Sequence, residues 1–210
     1  MKFSIIISNT KRSIYYLKKL SSNNLAPNEI IYLDDNSRKI NSYLLKKNKI
    51  FSKNKIKRFS TNFINKKVEN YIMKLKTKYF VYSGYPGIVI KNKKILNEKA
   101  ILHSHPGKLP FYKGSTTIYY SLLNSNKIYC TTLILREKID TGPIIYVKEY
   151  PKPKILKTID DDYDNFIRSE NIVYVLKNIS KLKAKRQKIN KLIPYFVIHP
   201  ILRSCVFNLR

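Results

Sequence analysis

Glycine, histidine, cysteine and acid are all scarce in this chain. Of 210 residues, 5 are glycine, 3 histidine, 2 cysteine and none tryptophan. Cys130 and Cys205 lie far apart without metal-ligand spacing, which argues against a disulfide scaffold and suits a reducing, cytoplasmic setting. No long apolar run reads as a membrane span. The Leu192–Leu209 stretch is broken by His199, Pro200, Arg203 and Ser204, so no integral membrane segment is expected. The N-terminal apolar run is too short for a signal peptide and reads better as a first strand. Thirteen Asp and Glu stand against 42 Lys and Arg, a formal net charge of +29. An anionic partner such as nucleic acid or an acidic membrane is the direct inference. The lysines, however, are spread over the whole chain among Asn, Ile and Tyr. That distribution looks more like compositional drift than a dedicated binding stripe.

The hydrophobic share of 43% and the length suit one compact domain with a sizeable core. Short apolar runs read as buried strands at 3–8, 29–33, 79–83 and 100–103, with further strands near 57–59, 128–136 and 143–149. Asn9 to Ser13 supplies cap chemistry for a helix that Pro27 ends. Further helices are expected at 115–124, with Ser115 or Thr116 as N-cap, and at 163–183. Strands alternating with helices indicate an α/β fold with a mostly parallel sheet. Residues 1–150 are taken as the core, and 151–210 as a helical extension packed on the same domain. Three unusual loops, 9–13, 83–87 and 103–114, fall at strand ends, where such sheets bind ligands.

The last of these loops reads His-Ser-His-Pro-Gly-Lys-Leu-Pro-Phe-Tyr-Lys-Gly and holds two of the three histidines. Residues i and i+2 of a strand face one side, so His103 and His105 could converge on one ligand. A metal pair completed by His199 or Asp140 is one reading. A plain turn capped by both rings is another. Asp140-Thr141-Gly142-Pro143 follows, with Asp140 lying 35 residues after His105.

His105, Pro110, Gly114, Asp140 and Gly142, in this order and spacing, resemble the motifs of the folate-dependent formyltransferases. That family acts on glycinamide ribonucleotide, methionyl-tRNA or sugar amines. The likeness runs over about residues 79–146 and implies a Rossmann-like, three-layer formyltransferase fold. It implies 10-formyltetrahydrofolate as co-substrate and His103, His105 and Asp140 as catalytic residues. It assigns Ser83, Gly84, Tyr85, Pro86, Gly87, Ile139 and Gly142 to the folate site. Asn9, Lys11, Arg12, Tyr112, Lys113, Gly114, Ser115 and Thr116 would contact the acceptor. His105 would donate to the oxyanion of the tetrahedral intermediate, while Asp140 kept it cationic and moved the amine's proton. No metal is called for.

One position departs from the family pattern: His103 stands where an asparagine is usual. An imidazole can also donate a hydrogen bond, though its size and titration differ. The acceptor stays open among an amino-sugar nucleotide, tRNA and the purine substrate. Tyr112-Lys113-Gly114-Ser115-Thr116 resembles the sugar branch, which carries Arg or Lys before that glycine. The loop after the first strand, Ser-Asn-Thr-Lys-Arg-Ser, lacks the glycines of the purine branch. Tyr85, Tyr112, Tyr119 and Tyr120 are candidate platforms for a nucleotide. The tail near Ile198-His199-Pro200-Ile201 could be the contact of a homodimer, an acceptor-binding cap or a membrane-facing patch. A basic nucleic-acid-binding protein or a metal hydrolase using the His-X-His pair are the rival functions.

Overall fold

A computed structural model of the chain describes residues 2–35, 50–51, 55–85, 90–188 and 193–208. It divides into two compact units, Met1–His103 and Ser104–Arg210.

The first unit opens with strand β1 (Phe3–Ser8), helix α1 (Lys11–Ser22) and strand β2 (Glu29–Asp34). Every residue of β1 is buried, as an unbroken apolar run in a parallel sheet should be. Thr10 caps α1 by accepting the Ser13 N–H at 3.2 Å. The helix buries Arg12, Ser13, Tyr16, Leu17 and Leu20, the spacing of one helical face. Then come β3 (Lys55–Ser60), α2 (Lys66–Lys74), β4 (Tyr79–Ser83), α3 (Lys93–Glu98) and β5 (Ala100–His105), the last crossing the unit boundary. The strands pair in the order β3-β2-β1-β4-β5, and all four pairings are parallel.

The second unit holds α4 (Thr117–Ser125), the antiparallel pair β6 (Ile128–Ile134) and β7 (Ile144–Tyr150), α5 (Asp164–Asn178) and α6 (Pro200–Phe207). A 3₁₀ turn (Leu156–Thr158) and a π turn (Ile159–Tyr163) lead into α5. Its core gathers Ile118, Tyr119 and Leu122 of α4, Ile128 and Cys130 of β6, Ile167 of α5, and Ile198 and Val206 of the tail. His199 caps α6 by accepting the Ile201 N–H, with Pro200 at the first helical position.

The α/β class and the mostly parallel sheet are borne out. Several boundaries differ. The 128–136 strand stops at Ile134, where the chain turns toward Asp140. The 163–183 helix is regular only over Asp164–Asn178. Thr116 precedes α4 but its side chain does not cap it; its hydroxyl is bonded to the tail instead.

Candidate active site

Strand β5 carries His105 into the second unit, where the ring is buried at 3% exposure. Its Nδ1 lies 3.3 Å from Oδ2 of Asp140. Its Nε2 lies 2.6 Å from the Tyr112 carbonyl and 3.3 Å from Oγ1 of Thr117. Thr117 spends its own proton on the Pro106 carbonyl at 2.6 Å, so toward His105 it accepts. Both ring nitrogens therefore face oxygen acceptors.

Asp140 sits in the loop between β6 and β7 with φ 54°, the left-handed region that Asp and Asn tolerate better than most residues. Its carboxylate is nearly out of water, at 8% side-chain exposure. A buried carboxylate is costly unless paired. Here His105 and the Gly114 N–H, at 2.8 Å from the same Oδ2, offset that cost. The Gln187 amide holds the backbone beside it, donating to the carbonyls of Asp140 at 2.8 Å and Gly142 at 2.7 Å.

The loop between β5 and α4 depends on two glycines. A Cβ on Gly107 would stand 2.5 Å from the Tyr112 carbonyl oxygen and 2.8 Å from His105 Nε2, so only glycine lets these two meet. Gly114 adopts φ 104°, and its Cβ would lie 2.3 Å from the Tyr195 carbonyl. Leu109–Pro110 is cis. Oγ1 of Thr131 ties the loop to β6, donating to Gly107 O at 2.5 Å and accepting from Leu109 N at 3.3 Å. Arg168 of α5, gripped by Asp164, donates to the Ser104 carbonyl at 2.6 Å and fixes the end of β5.

Of the expected site residues, this unit thus brings His105, Asp140, Tyr112 and Gly114 together. Lys113 accepts from Tyr195 N at 2.8 Å, while Ser115 is exposed and donates its N–H to Tyr195 O at 2.8 Å. Ile139 is half exposed, and Gly142 is buried. Tyr119 is core, whereas Tyr112 and Tyr120 pack on Tyr195 with ring centroids 6.0 and 4.3 Å apart. Sequence reasoning missed Gly107, Thr117, Thr131, Arg168, Gln187 and Tyr195. Only Gly107 carried a signal, its rarity inside the loop.

In the first unit, His103 packs against Tyr82, ring centroids 6.1 Å apart. Burial pushes the Tyr82 phenol up to about 12 from 10.0, opposed by the Arg12 cation, and its hydroxyl donates to Tyr85 O at 3.1 Å. The Arg12 guanidinium donates to Gly84 O, and Ser13 Oγ to Ser83 O at 2.6 Å. Asn9 is enclosed by Asp34 (3.0 Å), Asp35 (3.1 Å) and the Tyr32 hydroxyl. Lys11 is exposed. Pro86 and Gly87 lie outside the described residues.

The family model described as formyl transferase matches residues 1–177. The chain belongs to the formyl transferase family. The family resemblance drawn from the 103–142 motifs is borne out. A methionyl-tRNA formyltransferase of Thermodesulfovibrio yellowstonii is 34% identical over 87 residues, 40% of this chain but only 28% of that protein. The phosphoribosylglycinamide formyltransferase of Campylobacter jejuni superposes with a TM-score of 0.63 at 16% identity, covering 86% of this chain and 98% of that one. An N-formyltransferase of Helicobacter canadensis, solved with folinic acid and dTDP-3-aminofucose, gives 0.59 at 16% identity, covering 93% and 71%. These structural likenesses show the Rossmann-like formyltransferase fold.

Proposed function

We propose that this chain transfers a formyl group from 10-formyltetrahydrofolate to a primary amine, and that the amine belongs to a nucleotide-linked amino sugar. The buried His105–Asp140 pair is the observation that carries this reading. Formyl transfer needs a donor at an oxygen that gains negative charge and a base for the amine's proton, and the pair provides both. The bound folate supplies an electrophilic formyl carbon and a leaving nitrogen. His105 would offer its Nε2–H to the reacting oxygen, which takes the place of the Tyr112 carbonyl. Asp140 holds the ring by Nδ1 and would take the proton that the attacking amine loses, which then passes to the departing folate nitrogen. In the first unit, Ser83, Gly84 and Tyr85 retain the folate-binding role expected of them. In the second, Ile139 and Gly142 do so, and Tyr112, Lys113 and Gly114 face the acceptor.

Three considerations support this reading: the family, the lysine before Gly114, and a structural neighbour solved with a folate and an amino-sugar nucleotide. A cytoplasmic place of action accords with two free cysteines. Among the described residues no helix is long and apolar enough to cross a membrane. A tRNA acceptor is the second reading, favoured by the 34% identical relative and the +29 charge. Incubation with 10-formyltetrahydrofolate and either dTDP-linked amino sugars or methionyl-tRNA separates the two. Formylated sugar nucleotide supports the first reading and formylmethionyl-tRNA the second. Failure of the folded protein to formylate a sugar nucleotide, methionyl-tRNA or glycinamide ribonucleotide would overturn the activity.

A further inference from the structure

Residues C-terminal to α5 hold the surroundings of the catalytic pair at two places, beside Asp140 and on both sides of Gly114. Gln187 presents both N–H bonds of its amide to the carbonyls of Asp140 and Gly142, at 2.8 and 2.7 Å. Two acceptors require the NH₂ end there, so the side chain has one sensible orientation. Tyr195 pairs its backbone with the loop on both sides of Gly114. Its N–H donates to Lys113 O at 2.8 Å, and its carbonyl accepts from Ser115 N at 2.8 Å. Between these bonds lies the Gly114 N–H that binds Asp140. The Tyr195 ring also stacks on Tyr112, whose carbonyl faces His105.

Thr116 shows that this segment imposes a conformation. A β-branched residue at φ 49° is strained. Its hydroxyl is fixed from the tail, accepting from Ile198 N at 2.9 Å and donating to Phe196 O at 3.3 Å. The tail is anchored beyond that point. Arg203 of α6 pairs with Asp160 and donates to the Tyr119 hydroxyl at 3.3 Å, and Val206 is fully buried. The described residues 193–208 are therefore a strap fastened over the loop, with Gln187 preceding it.

We propose that Gln187 and Tyr195 are positioning residues: together they set the Asp140 carboxylate and, through it, the His105 ring. Gln187 fixes the left-handed backbone from which the carboxylate projects. Tyr195 fixes the loop that supplies the carboxylate's Gly114 N–H and His105's Tyr112 carbonyl. The catalytic consequence rests on the proposed formyl transfer. The positioning of the ring does not.

Gln187→Glu keeps the shape but points an acceptor at two carbonyls. Tyr195→Ala removes the stack, and Tyr195→Phe preserves it. Each variant is compared with the full-length parent by thermal melting, by steady-state formyl transfer and by NMR of the imidazole N–H protons, with His105→Gln assigning the signal. Gln187→Glu and Tyr195→Ala are expected to move the His105 Nδ1–H resonance and lower kcat by about 10²-fold while KM for the folate stays within about 3-fold. Tyr195→Phe restores the parent values. An unmoved resonance in folded Gln187→Glu and Tyr195→Ala would overturn the proposal. Should Gln187→Glu fail to fold, the Tyr195 pair decides alone. A moved resonance in a protein with no formyl transfer at all would sink the proposed activity and leave the positioning standing.

Discussion

The Tyr112 carbonyl stands 2.6 Å from Nε2 of His105 and the Asp140 carboxylate 3.3 Å from its Nδ1, so both ring nitrogens already face oxygen acceptors. A metal ligand needs a ring nitrogen with its lone pair turned to the ion, and both nitrogens of His105 are turned to these oxygens instead. Among the described residues, no three His, Cys, Asp or Glu side chains are grouped to hold an ion. EDTA is therefore expected to leave melting temperature and formyl transfer unchanged. A melting shift or activity loss that zinc reverses would restore the metal hydrolase reading.

Asp140 combines a side-chain and a backbone requirement, and Asn separates them. Asn tolerates φ 54° and can accept from the Gly114 N–H, but it brings no charge to His105. Asp140→Asn is expected to keep the fold and lower kcat by about 10²–10⁴-fold. Steady-state kinetics beside a circular dichroism melt tests this. Nearly full turnover in the variant would remove Asp140 from the mechanism.

Gly142 has no room for a methyl group, since its Cβ would stand 1.7 Å from the Ile134 carbonyl. Ile134 N already bonds Pro143 O at 3.0 Å across the same turn, so the neighbouring backbone cannot easily yield. Gly142→Ala should destabilise the protein by about 3 kcal/mol or more, read from urea unfolding. A loss below about 1 kcal/mol would mean that the hairpin end relaxes freely.

The strands of the first unit could be read because each is a short apolar run ended by a breaker. FSIIIS, EIIYL and YFVYS fall where β1, β2 and β4 lie. His105 and Asp140 were legible as a motif of rare residues at fixed spacing. Their environment was not. Gln187 reaches back 47 residues to Asp140, and Ile198 reaches back 82 to Thr116. Contacts of that span leave no periodicity or composition for a local pattern to register. Thr116 stands at the N-cap position as expected, but its hydroxyl bonds the distant tail and makes no capping bond. Arg12 likewise is buried and donates to the Gly84 carbonyl 72 residues away, a contact that no local pattern registers.

Tyr82 makes alkaline stability a test of the first unit. Burial raises its phenol to about 12, so the folded state favours the neutral form more than the unfolded chain does. The stability this contributes is whole below the usual value of 10.0 and is lost as pH rises through about 12. Unfolding free energy measured across that range should fall less steeply in Tyr82→Phe than in the parent. Parallel curves would mean the phenol is not held as described.

The four described glycines share one property: each has a heavy atom under 3.0 Å from where a Cβ would be. In a chain with only 5 glycines among 210 residues, that makes the type unusually informative. Glycine here marks the points where two pieces of backbone or a backbone and a ring come closest. Gly107, Gly114 and Gly142 outline the enclosure around His105 and Asp140 more sharply than any charged residue does. For redesign these positions are fixed points.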